Sequence, residues 1–321
     1  MADKAIADSL SAAVNEYMQW WDTRQHAAGN AERVVYPLYH YTDGTGLAGI
    51  IGNQEFWLTS IFQLNDTGEL DFGVRFAMRE LTRQAERGDP VLKYMIDRMK
   101  EVLDGEIHKE FDFFVGSLTR RGNNLGQWGF YGDDGKGFAL GVTPATIHGV
   151  DALVAEVAYG RGTATARQGE AIEKAVAIVN ANLKHIYADP KLGSDFLKGL
   201  SVQLAISILW NSITIKDSAY RPEAEVRLIV PRRARNLADV RIRLRGTEKI
   251  RYIGLTVPFR DRKNFRRLVM GPDAPPDAEN AVAGFLTAHG IDSKGLLYRS
   301  RIPYRSRLPA EPVHHHFEVA K

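Results

Sequence analysis

Two short stretches carry the residue types best suited to chemistry: "YHYT" at 39–42 and "PEAEVR" at 222–227. In the first, His40 stands between Tyr39 and Tyr41 with Thr42 behind it. On a strand, successive side chains alternate, so the tyrosines go to one face and His40 to the other. His40 is then either an ordinary hydrogen-bonded core residue or a donor turned toward a ligand. In the second, a strand would put Glu223, Glu225 and Arg227 on one face. Two carboxylates ~7 Å apart repel, so the group reads either as an ion pair with Arg227 or as a site.

Two further stretches supply candidate ligand contacts. "WLTS" and "LND" give Trp57, Thr59, Ser60, Asn65 and Asp66, of which the Asn-Asp pair also reads as a helix cap. "QWGFYGDDGKG" at 127–137 gives Gln127, Trp128 and Tyr131 in a glycine-rich loop, lining a cleft or pinning a long hairpin. The "GDDGKG" portion lacks phosphate-loop spacing and reads as a turn between strands.

Composition narrows the chemistry. The 321 residues include no cysteine, which excludes disulfides, thiolate metal sites and a cysteine nucleophile. The chain contains no GxGxxG behind a strand, no HExxH and no GxSxG. "HHH" at 314–316 has no partner at fixed spacing, so no metal is expected. No run approaches the ~18 apolar residues of a membrane span, and the opening "MADKAIADSL" lacks the order of a secretion signal. A cytoplasmic location is expected, with signal-free export as an effector left open.

The net charge of +3 conceals an asymmetry, because 221–267 holds 15 Lys/Arg against 5 Asp/Glu. That block suits an anionic partner, with Arg232, Arg233, Arg241, Arg243 and Arg245 as candidate nucleic-acid contacts, or it is a solvated sheet face.

The elements that must position these residues follow from periodicity. Residues 9–24 read as an amphipathic helix, with an N-terminal helical segment over 1–30. Strands are expected at 33–42 (at an edge or bend because of Pro37), 111–119, 136–144 and 150–160. The "TGLAGIIGNQEF" stretch reads as a short helix closed by Gly52-Asn53, and 67–103 as two helices broken at "RGDP". Helix follows over most of 164–210, interrupted at "ADPKLGSD", then strands at "AEVRLIV", "VRIRLRG" and "KIRYIGLTV", the helix "AENAVAGFLTAHGI" and a last strand near "LLYRSRIPYR". In "VRIRLR", alternation turns Val240, Ile242 and Leu244 inward and the arginines outward. No linker or repeat is evident. The expectation is one α+β domain over 31–310, its split, antiparallel-rich sheets flanked by helices, with a polar tail over 311–321.

Taken together, "YHYT", "LND" with Glu69, "QWGFYGDDGKGFALG", "EAEVRLIV", "VMGPDA" and "SRIPYR" resemble the bacterial family labelled domain of unknown function 2971, over roughly residues 36–307. The layout is similar to the ADP-ribosyltransferase superfamily, with its histidine, aromatic or serine, and E-x-E positions. The resemblance implies that His40 fills the first position, Trp57 to Ser60 or Tyr131 the second, and Glu225 the third, with Glu223 as the outer glutamate. It implies an ADP-ribosyltransferase-like fold and an enzyme that cleaves the nicotinamide–ribose bond of NAD and transfers ADP-ribose to a macromolecule or water. His40, Tyr41, Thr42, Trp57, Ser60, Asn65, Gln127, Trp128, Tyr131 and Arg227 would hold NAD. The alternative from the residues themselves is a non-catalytic nucleic-acid-binding or phage-defence module using the basic 221–267 block.

Overall fold

The structure is a computed structural model that describes residues 2–28, 34–64, 67–103, 107, 111–144, 152–233 and 238–304. Asn65, Asp66 and the polar tail with its three histidines lie outside the described residues. The elements run α1 (Ala2–Ala28), β1 (Leu38–Thr42), α2 (Gly44–Asn53), β2 (Glu55–Ser60), α3 (Thr67–Arg87), α4 (Pro90–Glu101) and β3 (Phe111–Thr119). They continue with α5 (Leu125–Tyr131), β4 (Phe138–Val142), β5 (Leu153–Glu156), β6 (Ala158–Tyr159), α6 (Arg161–Ala188) and α7 (Pro190–Ile213). The chain then forms β7 (Ile215–Lys216), β8 (Glu225–Arg233), β9 (Arg241–Arg245), β10 (Glu248–Thr256), β11 (Phe265–Met270), α8 (Ala278–Ala288) and β12 (Leu297–Arg299).

The chain divides into two compact units. The first comprises Met1–Val34, Phe56–Ser117 and His148–Leu255, and the second Val35–Glu55, Leu118–Ile147 and Thr256–Lys321. Each unit is assembled from separated stretches, so no linker separates them in the sequence.

The first unit is a sheet with helices. Its strands run in the order β5-β8-β3-β2-β10-β9, with β5/β8, β2/β3 and β9/β10 antiparallel. Its core joins Tyr17 and Trp21 of α1, Met95 of α4, Ile172 of α6, Leu204 and Trp210 of α7, and Phe113 and Ile229 of the sheet. The N-terminal helix is therefore part of this core and not a separate segment. The break at "RGDP" forms as expected: Asp89 caps α4 by accepting from the Val91 N–H at 2.9 Å, and Pro90 begins the helix. The same device starts α7, where Asp189 accepts from the N–H groups of Lys191 and Leu192, each at 3.0 Å, ahead of Pro190.

Helix α7 corrects the expectation that no stretch is long and apolar enough to span a membrane. It passes that test on length and hydropathy, but 72% of its apolar window is buried within the protein. It is the central core helix. Gly73 of α3 is required where α3 meets it, since a Cβ there would collide with the backbone of Ser212. Beside that contact the buried Gln168 amide donates to the carbonyls of Gly73 at 3.2 Å and Ile208 at 3.3 Å, tying α3, α6 and α7 together.

The second unit has strands in the order β12-β11-β4-β1, with β11/β12 parallel and the other pairs antiparallel. Strand β1 pairs on both sides, through Tyr39 opposite Gly141 and opposite Thr119. It is not an edge strand. Pro37 precedes it and removes no donor from the ladder. Helix α2 runs to Asn53 and is closed by Gln54, the next residue, in the left-handed conformation with φ 54°. The "QWGFY" stretch, read as a loop, is the short helix α5, capped by the Asn124 side chain accepting from the Gln127 N–H at 3.1 Å. The turn that follows leads from this helix into β4 and carries positive φ at Asp133, Asp134 and Gly135.

Candidate functional site

On β9 the structure inverts the expected alternation. Ile242 and Leu244 are 63% and 70% exposed, whereas Arg243 is half-buried. The register sets Arg241 opposite Tyr252, Arg243 opposite Ile250 and Arg245 opposite Glu248, so each pair shares a face. The Arg243 guanidinium lies 5.6 Å from the Trp57 ring centre and donates to Thr59 Oγ1 at 3.3 Å. Arg241 lies 5.0 Å over Tyr252, and the Trp57 and Tyr252 rings are 4.7 Å apart. A period of two defines two faces without saying which is covered. The long arginine stem can lie over an aromatic ring while its head reaches water, which a short apolar side chain cannot do.

The other face of the same two strands carries Ile242 opposite Arg251 and Leu244 opposite Lys249. Beneath it, Asp112 is 2% exposed, accepts from Ser60 Oγ at 3.0 Å and lies 2.9 Å from the Arg251 guanidinium. Burial is the stronger influence on Asp112 and raises its pKa to about 6 despite the opposing pull of Arg251 and Ser60. Ser60 is fully buried by this contact. Of the remaining basic candidates, Arg232 pairs with Asp239 at 2.8 Å, Arg245 pairs with Glu248 at 3.0 Å, and Arg233 is exposed at the end of β8.

The glutamates form a different site from the one expected. Glu223 is not on β8: it ends a short 3-10 turn, and Ala224, in the left-handed conformation with φ 45°, separates it from the strand. Both glutamates nevertheless converge on Lys216, at 2.8 Å from Glu223 and 2.7 Å from Glu225. Arg227 donates to the two Glu225 oxygens at 2.8 and 3.2 Å, and to the Ile213 carbonyl at 2.6 Å. Tyr159 Oη accepts from the Glu225 N–H at 2.8 Å. Burial pushes the Glu225 carboxyl up, but Arg227 and Lys216 prevail and hold it at about 2. Two carboxylates and two cations balance, which is the ion-pair alternative extended by a lysine.

In the second unit the two faces of β1 separate as the sequence indicates. Tyr41 is buried, its ring 4.7 Å from Trp128 and its hydroxyl donating to the Arg121 carbonyl at 2.8 Å, and Tyr39 packs on the same cluster. His40, half-buried like Thr42, is opposite Leu140 on the other face. Trp128, expected to line a cleft, is fully buried in this core, and its indole N–H donates to Asn123 Oδ1 at 2.9 Å. Gln127 is also buried, whereas Tyr131 is 48% exposed.

His40 belongs to the second unit and Glu225 to the first, and each is held by contacts within its own unit. Lys216, Asp112, Tyr159 and Tyr252 escape sequence reasoning because each is a single polar or aromatic residue in an ordinary strand context. The partners of Asp112 and Tyr159 come from distant positions, and those of Lys216 lie beyond a turn that the sequence does not announce. Among the described residues, no group of three His, Asp or Glu side chains could hold a metal ion. No family model, curated protein or solved structure matches the chain.

Proposed function

We propose that the protein binds nucleic acid through the basic outer edge of the first unit's sheet. The observation that carries this reading is the arginine row of β9, with Arg241 and Arg243 positioned by Tyr252 and Trp57. Stacking on a ring holds a guanidinium in place and keeps its charge, and that charge attracts phosphates. The Arg245–Glu248 and Arg232–Asp239 pairs are at the surface, where such pairs contribute about 0–1 kcal/mol, and phosphate can exchange for carboxylate at little cost. From Arg241 to Tyr252 there are five Lys/Arg and one Glu, within the basic block noted from the sequence.

The NAD-consuming transferase reading has weaker support. It requires Glu225 to accept a ribose hydroxyl, but that carboxylate is 6% exposed and already accepts from Arg227 and Lys216. The substrate would have to displace a buried ion pair.

Binding to labelled oligonucleotides across a salt series tests the proposal. Four or five phosphate contacts give log affinity falling with log salt at a slope of about −3 to −4.5 across single strand and duplex. No binding at low salt would overturn it. In parallel, incubation with NAD should release no nicotinamide above the blank, and release that disappears in Glu225→Gln would restore the transferase reading.

A further inference from the structure

We infer that the nucleic acid taken by this edge is single-stranded, with unpaired bases lying on Ile242 and Leu244 and phosphates meeting the cations around them. The inference rests on the nucleic-acid reading above and names its partner class. Ile242 and Leu244, 63% and 70% exposed, stand side by side on one face of β9, with Arg251 and Lys249 directly opposite on β10. Arg241, Arg243 and Arg245 occupy the alternate positions of the same strand. Among the described residues, β9 ends the sheet order, and no strand lies beyond it.

An exposed apolar pair on such an edge invites pairing with another chain. A second copy is a poor occupant: symmetric antiparallel pairing centred on Arg243 would match Ile242 with Leu244 but set Arg241 opposite Arg245 and Arg243 opposite itself, and like charges directly opposite destabilise a sheet. The occupant must therefore be anionic and also present flat apolar surface. A duplex meets only the first requirement. Its bases stack inside, and it offers phosphates and base edges, leaving Ile242 and Leu244 against a charged backbone. An unpaired strand meets both, since its base faces are free to pack on side chains while its backbone follows the positive charge. Four of the five cations from Arg241 to Tyr252 are arginine, whose planar head can stack on a base or bind a phosphate through two donors. A purely acidic peptide such as polyglutamate matches the charge but has no apolar face to cover the pair.

The test uses the full chain and three probes: a short mixed-sequence single strand, the same sequence annealed to its complement, and polyglutamate as competitor. The single strand should bind about tenfold or more tightly than the duplex, and the double variant Ile242→Ser/Leu244→Ser should lose about tenfold in single-strand affinity. Its salt slope should stay unchanged, because no charge is removed, whereas Lys249→Gln should lower the slope by about 0.7. Thermal melts of both variants confirm that they fold. Equal binding of single strand and duplex, with the double variant neutral, overturns this inference and leaves the nucleic-acid reading intact. Failure of both oligonucleotides to bind at low salt overturns both. Polyglutamate displacing the single strand at equal charge assigns the edge to an acidic protein instead.

Discussion

Replacing Glu225 by Gln separates the two readings of the E-x-E motif. The carboxylate sits among nearly inaccessible groups, with 3% of the Arg227 side chain, 4% of Lys216 and 6% of Glu225 exposed. An amide of the same shape offers one neutral acceptor where two charged oxygens stood, and it turns an N–H donor toward cations. Breaking a buried pair on one side costs about 3–5 kcal/mol. The lower end applies here, because Arg227 keeps the Ile213 carbonyl and Lys216 keeps Glu223. About 3 kcal/mol should lower the melting temperature by roughly 6–12 °C for a unit of this size. The sign of the pH dependence follows from the depressed carboxyl. Its stabilisation is fully present above the ordinary 4.5 and is lost as pH falls toward about 2. The gap between wild type and variant should therefore be constant near neutrality and close on acidification. Melts of both proteins in a pH series measure it, and other titrating groups cancel in the difference. A variant that melts with the wild type at neutral pH would show that the quartet does not hold the fold together, and the argument from burial would fail.

Asp112→Asn should behave in the opposite sense. Its folded pKa is raised from 3.8 to about 6, so the native carboxyl holds its proton more tightly than the unfolded one, and the stability this contributes is lost as pH rises through 6. The asparagine variant should be more stable than wild type at pH above 7 by about 3 kcal/mol in urea melts, and a less stable variant there would refute the assignment. In the second unit, Asn123→Ala removes the acceptor shared by Trp128 Nε1 at 2.9 Å and Ser300 Oγ at 2.8 Å. The orphaned donors should cost about 2–4 kcal/mol, read by tryptophan fluorescence during denaturation. On β1, Tyr41→Ala should cost about 3–5 kcal/mol, while His40→Ala, on the other face and half-exposed, should stay within about 1 kcal/mol of wild type. Equal costs would mean that the two faces are packed alike.

Local chemistry in the sequence determined the helix starts and the division of β1 into two faces. Asp89-Pro90 and Asp189-Pro190 act within a few residues, through a side chain accepting from the next N–H groups and a ring already set for the first turn. The tyrosines of "YHYT" share a face whatever lies above them. Tertiary structure decided which face of each element was covered. The alternation of "RIRLR" is plain in the sequence, yet its apolar residues point to solvent because Trp57, from a strand far away in the chain, and Tyr252, across the hairpin on β10, receive the arginines. Glu223 and Glu225 meet at Lys216 and not along a strand, since Ala224 turns the chain between them. Trp128 became core because Tyr41, from another stretch of the same unit, closes over it. The two units are interleaved in sequence, so a boundary drawn from composition had nothing to detect. Caps and pleats are set by neighbours in the chain, while burial and charge pairing are set by neighbours in space.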